Sequence, residues 1–284
     1  MIRNGALGLA LAAALIGTTH AQAADKAALV KRGSYLVNTI MTCGNCHTPP
    51  GPKGPIMAKA FSGGLSWDEP PFKVTAPNIT SDKDTGIGSW SDADIKKLLR
   101  TGVRPNGVPV APIMPTGFYG IITEHDMDSI VAYLRSLKPI KNKVPDPVYR
   151  FPAPRQIFPG AEKPYTEAML KDKVKHGFYL ATIGHCMECH TPEVKGQHPW
   201  DKMGTGGFKF PGPWGVSISR NITSSKTKGI GGWTDAQIKR AITTGVAKDG
   251  SHLKPPMGFA YYAKMTPSDV NAIIAWLRTL PAKE

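Results

Sequence analysis

The chain has 284 residues, with 35 Lys and Arg against 21 Asp and Glu, which gives a formal net charge of +14. A charge of this size favours acidic partner proteins, anionic membranes or nucleic acid. The sequence has neither a basic recognition helix nor an RNA-type aromatic motif, so we expect no nucleic-acid partner. The 30 glycines and 26 prolines indicate much irregular backbone.

Residues 1–23 form a predicted secretory signal peptide. Arg3 supplies its positive start, residues 6–16 its apolar stretch, and Ala21-Gln22-Ala23 the small-residue pattern at which a signal peptidase cuts. The apolar stretch is well short of the roughly 20 residues needed to span a bilayer. We therefore expect cleavage after Ala23 and a soluble protein in the periplasm of a Gram-negative bacterium. Such a protein would associate with a membrane only through a partner.

The first predicted helix leads into a cysteine motif. Apolar residues at helical spacing, including Leu36 and Ile40, precede Cys43-Gly44-Asn45-Cys46-His47. The pattern C-x-x-C-H is the attachment signature of c-type haem. On a helical turn, the thiols of Cys43 and Cys46 can reach the two vinyl groups of one porphyrin while His47 offers an imidazole nitrogen to the iron. These residues are the predicted covalent attachment points and the first axial ligand.

A middle helix is predicted to begin at Ser91, because Asp94 three residues later completes a capping-box pattern. Trp90, just before it, is predicted to pack on the porphyrin, and plain core packing is an equal alternative. Upstream, Asn78-Ile79-Thr80 matches the N-glycosylation pattern. We expect a structural use of that segment instead, since it recurs later in the chain.

A proline-flanked methionine precedes the last helix of this half, which is predicted over residues 126–137. In Pro112-Ile113-Met114-Pro115 the rigid backbone could aim the thioether of Met114 at iron, where a soft sulfur ligand favours the ferrous state. Residues 139–164 then contain seven prolines and show no sustained hydrophobic period. They are predicted to form a fairly stiff linker between two domains, residues 24–138 and 165–284.

The second half repeats the first. A shift of 143 positions aligns Cys43 with Cys186 and continues without a gap to Leu137 and Leu280. We call residues 24–138 the first repeat and residues 165–284 the second repeat. The predicted sites of the second repeat are the attachment residues Cys186 and Cys189, the axial ligands His190 and Met257, and the haem-packing residue Trp233. Of the ten methionines, Met114 and Met257 are the pair that coincides under the shift.

Other interpretations of the cysteine pairs remain open at this point. A zinc site would join both pairs in one tetrahedral centre, disulfides form in oxidising compartments, and a redox C-x-x-C motif belongs in a βαβ setting. Each pair here has its own histidine, which favours haem. A single methionine is often a core gap-filler, and His252, close to Met257, is a competing iron ligand.

No convincing strands are visible, so the predicted fold class is all-α: two small helical domains with long Gly/Pro-rich loops. The sequence resembles the multi-haem cytochrome c subunits of periplasmic, membrane-associated alcohol and sugar dehydrogenases. The resemblance rests on C-x-x-C-H, Asn-Ile-Thr-Ser, Gly-Ile-Gly-x-Trp-[Ser/Thr]-Asp and the methionine loop, each present in both repeats. It implies two tandem class I cytochrome c domains, two covalently bound haem c groups with His/Met axial ligands, and electrons received from a partner dehydrogenase.

The predicted function is therefore electron transfer without chemistry on a substrate. The donor would be a dehydrogenase, the acceptor a respiratory cytochrome or oxidase, and the basic surface would dock acidic patches on these redox partners. The alternative is a two-haem peroxidase, in which one iron must open a coordination position. The matching positions of Met114 and Met257 argue against that asymmetry.

Overall fold

A computed structural model describes residues 23–212 and 214–284. All of the predicted signal peptide except its last residue, Ala23, lies outside these described residues. The first helix, α1, covers residues 23–35 and continues as a wider π-helical turn over Leu36–Ile40. No helix within the described ranges is long and apolar enough to cross a membrane.

The helices of the first repeat confirm the predicted order. A short helix carries the cysteine motif, and a middle helix, a 3-10 turn and a last helix follow it. Ser91 caps the middle helix in the capping box predicted with Asp94, and Gly102 ends it in the left-handed conformation at a φ of 72°. The bounds are α2 Cys43–His47, α3 Asp92–Thr101, the 3-10 turn Thr116–Ile121, and α4 Glu124–Ser136.

The second repeat has the same order of helices, with a short α-helix in place of the 3-10 turn. Thr234 and Gln237 form the second capping box, and Gly245 ends that helix at a φ of 71°. The bounds are α5 Lys173–Ile183, α6 Cys186–Cys189, α7 Asp235–Thr244, α8 Phe259–Tyr262 and α9 Pro267–Leu277. Further 3-10 turns cover Met57–Lys59, Met169–Lys171 and Trp200–Lys202.

The prediction of an all-α fold is wrong. Of the residues that the structure describes, about 39% are helical and 11% are in strands. The strands form two two-stranded antiparallel sheets and one three-stranded antiparallel sheet, mostly in the long loops after the cysteine motifs. Each strand has only two to four residues, too short to show the alternating pattern that identifies strands in a sequence. The bounds are β1 Pro50–Gly51, β2 Gly54–Pro55, β3 Ser66–Glu69, β4 Phe72–Thr75, β5 Val148–Tyr149, β6 Lys209–Gly212 and β7 Gly215–Ile218.

The proline-rich segment 139–164 lies along the first repeat. Its strand β5 pairs with β4, where Phe72 faces Tyr149. Farther along, Phe158 and Ala161 are each 1% exposed and belong to the main hydrophobic core. The segment is thus packed and hydrogen-bonded against the first repeat. It connects the repeats, and its apolar side chains also stabilise the fold.

Within each repeat, the first and last helices cross at a glycine. A Cβ added to Gly33 would lie 1.8 Å from the carbonyl oxygen of Ser129 in α4, and one added to Gly177 would lie 1.9 Å from that of Ala272 in α9. Only glycine allows backbones to approach this closely. The crossings place the C-terminal ends of α1 and α5, and hence both cysteine motifs, in fixed positions.

Replacing Gly33 with alanine is expected to lower the free energy of unfolding by about 3 kcal/mol, because α1 and α4 must separate to admit the methyl group. Urea denaturation followed by circular dichroism measures the change. Lys31→Ala, at an exposed position of the same helix, is the control and should change stability by less than about 0.5 kcal/mol. Equal stability of the two variants would contradict the observed helix crossing.

Candidate haem-attachment sites

The first cysteine motif occupies the whole of α2. Thr42, immediately before the helix, has a φ of 51° in the left-handed region, and this sharp turn separates α1 from α2. Cys43 and Cys46 are free thiols, and the side chain of His47 is buried. One short helix thus presents two thiols and an imidazole together, as the motif predicts.

The second motif is built in the same way. His185 precedes α6 with a φ of 43°, again in the left-handed region. Cys186 and Cys189 are free thiols on that helix, and His190 directly follows it. All four cysteines of the chain are therefore unpaired, as thioether formation with haem requires.

The two histidine rings are held by matching hydrogen bonds. Nδ1 of His47 lies 2.7 Å from the carbonyl oxygen of Pro77, and Nδ1 of His190 lies 2.7 Å from that of Arg220. A carbonyl oxygen can only accept, so Nδ1 carries the proton and Nε2 keeps its lone pair for a metal. Burial lowers the pKa of both histidines, against the effect of these hydrogen bonds, and thereby favours the neutral form that binds iron.

The repeated Asn-Ile-Thr segments position those carbonyl groups. Asn78 directly follows Pro77; its Oδ1 accepts from the backbone N–H of Thr80 at 2.9 Å, and its Nδ2 donates to the carbonyl of Ile140 at 2.7 Å. Asn221 repeats both bonds with Thr223 and Lys283. Sequence reasoning assigned a structural use to these segments but missed their link to the histidines. Their recurrence at fixed spacing from each cysteine motif was the available signal.

Met114 and Met257 lie in equivalent turns. The backbone N–H of Thr116 donates to the carbonyl of Met114 at 2.7 Å, and that of Phe259 donates to the carbonyl of Met257 at 3.0 Å. Met114 packs partly buried against the hydrophobic core, and Met257 is half-buried. Each turn leads directly into the short helical segment that precedes the last helix. Axial ligation by these two methionines stays a prediction.

Trp90 and Trp233 each precede a middle helix and pack, partly buried, against the core. Their backbone carbonyls accept hydrogen bonds from Arg135, in α4, and from Arg278, which directly follows α9. These bonds tie the tryptophan turns to α4 and α9. Packing of the indole rings on haem stays a prediction.

The side chains present fit covalently attached haem. Burial raises the pKa of Cys43 and of Cys186 to about 12, so in the unloaded chain these thiols are protonated and weakly reactive at neutral pH. Thioether formation removes the ionisable group altogether. Two partly buried thiols beside an imidazole with a free Nε2 are the donor set that haem c requires. Among the described residues, no three or more His, Cys, Asp or Glu side chains come together as a tetrahedral zinc centre would need.

The two sites adjoin each other across the interface between the repeats. α8 packs against the turn Leu36–Ile40, and the equivalent 3-10 turn of the first repeat packs against α5. A Cβ added to Gly184, just before the second motif, would lie 3.3 Å from the carbonyl oxygen of Ile40, just before the first motif. Each repeat therefore places its cysteine motif beside the other repeat, which sequence reasoning did not predict.

Reciprocal hydrogen bonds join the two repeats. The Tyr179 hydroxyl donates to Asp126 at 2.7 Å, and Tyr35, its counterpart, donates to Asp269, the counterpart of Asp126. Arg32 also holds Asp126, with bonds of 2.7 and 2.8 Å. Burial would raise the pKa of Asp126, but the hydrogen bonds and charge of Arg32 hold it below its usual value.

Asp126→Asn is expected to lower the free energy of unfolding by about 3 kcal/mol at pH 7, because it leaves Arg32 without its buried partner. A lowered folded-state pKa means that Asp126 stabilises the fold above its unfolded pKa of about 3.9 and loses this effect as the pH falls through the folded value. The difference between wild type and variant should therefore shrink at pH 3. Urea titrations at both pH values measure it.

Asp128→Asn is the matched control for that measurement. Asp128 lies on the same helix, is 48% exposed in its side chain and pairs with Lys96. Exposed ion pairs contribute less than about 1 kcal/mol. A control variant as unstable as Asp126→Asn would contradict a special role for the buried Asp126 carboxylate.

Comparison with known proteins agrees with the architecture of these sites. The cytochrome c family model matches residues 30–138 and 174–281, one region in each repeat. The chain is 29% identical, over 98% of its length and 60% of the relative's, to the alcohol dehydrogenase (quinone) cytochrome c subunit of Gluconobacter oxydans (strain 621H). It is 30% identical, over 89% of its length and 53% of the relative's, to the fructose dehydrogenase cytochrome subunit of Gluconobacter japonicus.

A third relative is matched over most of both chains. It is a dihaem cytochrome c-type protein of Cereibacter sphaeroides, 30% identical over 85% of this chain and 83% of that protein. By contrast, the chain spans only about 60% of the length of the alcohol dehydrogenase subunit. The chain belongs to the cytochrome c family, whose members carry covalently bound haem c.

Proposed function

We propose that this protein is a periplasmic dihaem electron carrier that takes electrons from a dehydrogenase and passes them to a respiratory acceptor. The observation that carries the proposal is the matched pair of sites. In both repeats a C-x-x-C-H histidine donates Nδ1–H over 2.7 Å to a backbone carbonyl, those of Pro77 and Arg220. Two equivalent sites side by side suit the passage of electrons from one to the other.

Each repeat would hold one haem c and form one domain, residues 24–138 and 165–284. Cys43 and Cys46 would attach the first haem, with His47 and Met114 as axial ligands. The matching residues of the second repeat are Cys186, Cys189, His190 and Met257. When bound, each haem supplies a one-electron Fe(III)/Fe(II) couple, and a histidine and methionine pair raises its reduction potential.

The chain's own residues would keep the coordination positions of both irons filled and keep water away from them. The carbonyls of Pro77 and Arg220 keep the histidine rings oriented, so little rearrangement accompanies a change in iron charge. Met114 and Met257 at equivalent positions would fill the sixth position of both irons. A closed site favours electron transfer over chemistry on a substrate such as peroxide.

Charge and relatives support a protein partner. The net charge of +14 would attract an acidic docking surface and raise the association rate at low salt. Relatives include a subunit of an alcohol dehydrogenase and one of a fructose dehydrogenase, so a dehydrogenase is the proposed donor. The signal peptide predicted over residues 1–23, with cleavage after Ala23, supports a periplasmic location.

The test is a redox titration of protein matured in a bacterial periplasm. Intact mass should show two haems per chain and an N-terminus at Ala24, and reduction should consume two electrons per chain. Added peroxide should not be turned over at ordinary enzyme rates, roughly 1–1,000 per second. One haem per chain, or peroxide turnover in that range, would overturn the proposal.

A further inference from the structure

The second cysteine motif contains a carboxylate. Glu188 is the third residue of α6, its side chain is 24% exposed, and its Oε2 lies 3.0 Å from Nδ1 of His185. In the first repeat, the equivalent positions hold the neutral residues Asn45 and Thr42, and Asn45 is exposed. The motifs are therefore alike in their ligands but differ in charge.

Contacts across the interface place the second site against the first cysteine motif. A Cβ added to Gly44, inside the first motif, would lie 3.5 Å from the Tyr261 hydroxyl, and one added to Gly258 would lie 3.5 Å from the Thr42 side chain. The residues around the second methionine thus touch the first cysteine motif. The segments just before the two motifs also touch, at Gly184 and Ile40.

The charge of Glu188 acts on buried tyrosines of both repeats. Burial raises the pKa of Tyr119, in the first repeat, and of Tyr262, in the second, and the negative charge of Glu188 adds to each rise.

We propose that the negative charge of Glu188 acts on both haem sites and lowers the reduction potential of each. The inference rests on the proposed dihaem function and deepens it. A negative charge in a partly dry environment is attracted more strongly to ferric than to ferrous iron, because the ferric site carries one more positive charge. Neutralising the carboxylate therefore favours reduction at both sites, and no proton or co-reactant is involved.

Glu188→Gln tests the proposal, because it removes the charge and keeps the shape. Both midpoint potentials are measured by spectroelectrochemical titration at pH 8, where histidine side chains are ordinarily neutral. Each reduction equilibrium should shift toward the ferrous form by threefold to about tenfold; tenfold is about 59 mV for a one-electron couple. Glu188→Asp retains the charge and should return both midpoints toward wild type, which a role in packing alone would not produce.

Glu193→Gln is the matched control. Glu193 is exposed and follows His190 by three residues, so water and salt screen its charge and neither midpoint should move. If Glu188→Gln does not take up two haems, Glu188→Met replaces it, because methionine is neutral and similar in length. Both midpoint potentials of that variant should shift in the same direction. Two haems with both midpoints at their wild-type values would overturn this proposal and leave the dihaem function standing. A wild-type chain without two haems would instead overturn the proposed function.

Discussion

Replacing Cys43 and Cys46 together with serine is expected to leave a protein that carries one covalent haem instead of two. Serine hydroxyls do not add to the porphyrin vinyl groups, so the first repeat keeps the His47 imidazole but loses both thioether bonds. Intact mass and the haem absorbance per chain should show half of the wild-type haem content. The retained haem should be the one attached at Cys186 and Cys189.

The serine variant should also be markedly less stable. Each repeat is small and loop-rich, and such a domain needs a large apolar group to complete its core. Because the repeats share one hydrophobic core, loss of the first haem should lower the melting temperature of the whole chain. Heating followed by far-UV circular dichroism measures this change.

Cys186→Ser with Cys189→Ser is the matched variant of the second repeat. It should likewise retain one haem, now attached at Cys43 and Cys46. If a double variant of either pair carries as much haem per chain as the wild type, that pair does not attach haem. Loss of both haems from either variant would show instead that the sites are filled only together.

Local sequence patterns predicted the helices because their signals lie within a few residues. Ser91 with Asp94 and Thr234 with Gln237 form the expected capping boxes, since a cap depends only on its own first turn. The strands were missed for the converse reason. β5 pairs with β4 across more than 70 residues, and a two-residue strand has no pattern of its own.

The site was predictable in its chemistry and not in its surroundings. The C-x-x-C-H spacing indicated which thiols and imidazole share one helical turn, and α2 carries Cys43, Cys46 and His47 together. Attachment of haem by these residues stays a prediction. The carbonyl partner of His47 comes from Pro77, 30 residues away, and nothing about a proline in a sequence marks it as an acceptor. The contact between Gly184 and Ile40, which brings the two motifs together, depends on how the repeats pack, which no motif encodes.

Replacing Met114 or Met257 with alanine is expected to convert one of the two haems from low spin to high spin. Alanine offers no sulfur to the iron, so the sixth position becomes open or binds water. Loss of the soft ligand should also lower the midpoint potential of that haem by more than about 59 mV, a tenfold change in its reduction equilibrium. Absorption spectra of the reduced and oxidised protein, together with a redox titration, measure both effects.

Other methionines serve as controls for that experiment. Met57 is 69% exposed, and Met203 packs partly buried against the core; neither has a methionine at its equivalent position in the other repeat. Met57→Ala and Met203→Ala should leave both haems low spin. Unchanged spectra in Met114→Ala and Met257→Ala would contradict the axial assignment, and His252 would then be the next ligand to replace in the second repeat.

The single methionine variants also separate the carrier from the peroxidase. Met257→Ala would open one iron and leave the other closed, which is the asymmetric arrangement that a two-haem peroxidase requires. Peroxide reduction should therefore rise in Met257→Ala above the rate of the wild-type protein. If the wild type already reduces peroxide as fast as this variant, one iron is open from the start, and the equivalence of Met114 and Met257 in the repeat does not extend to their ligation.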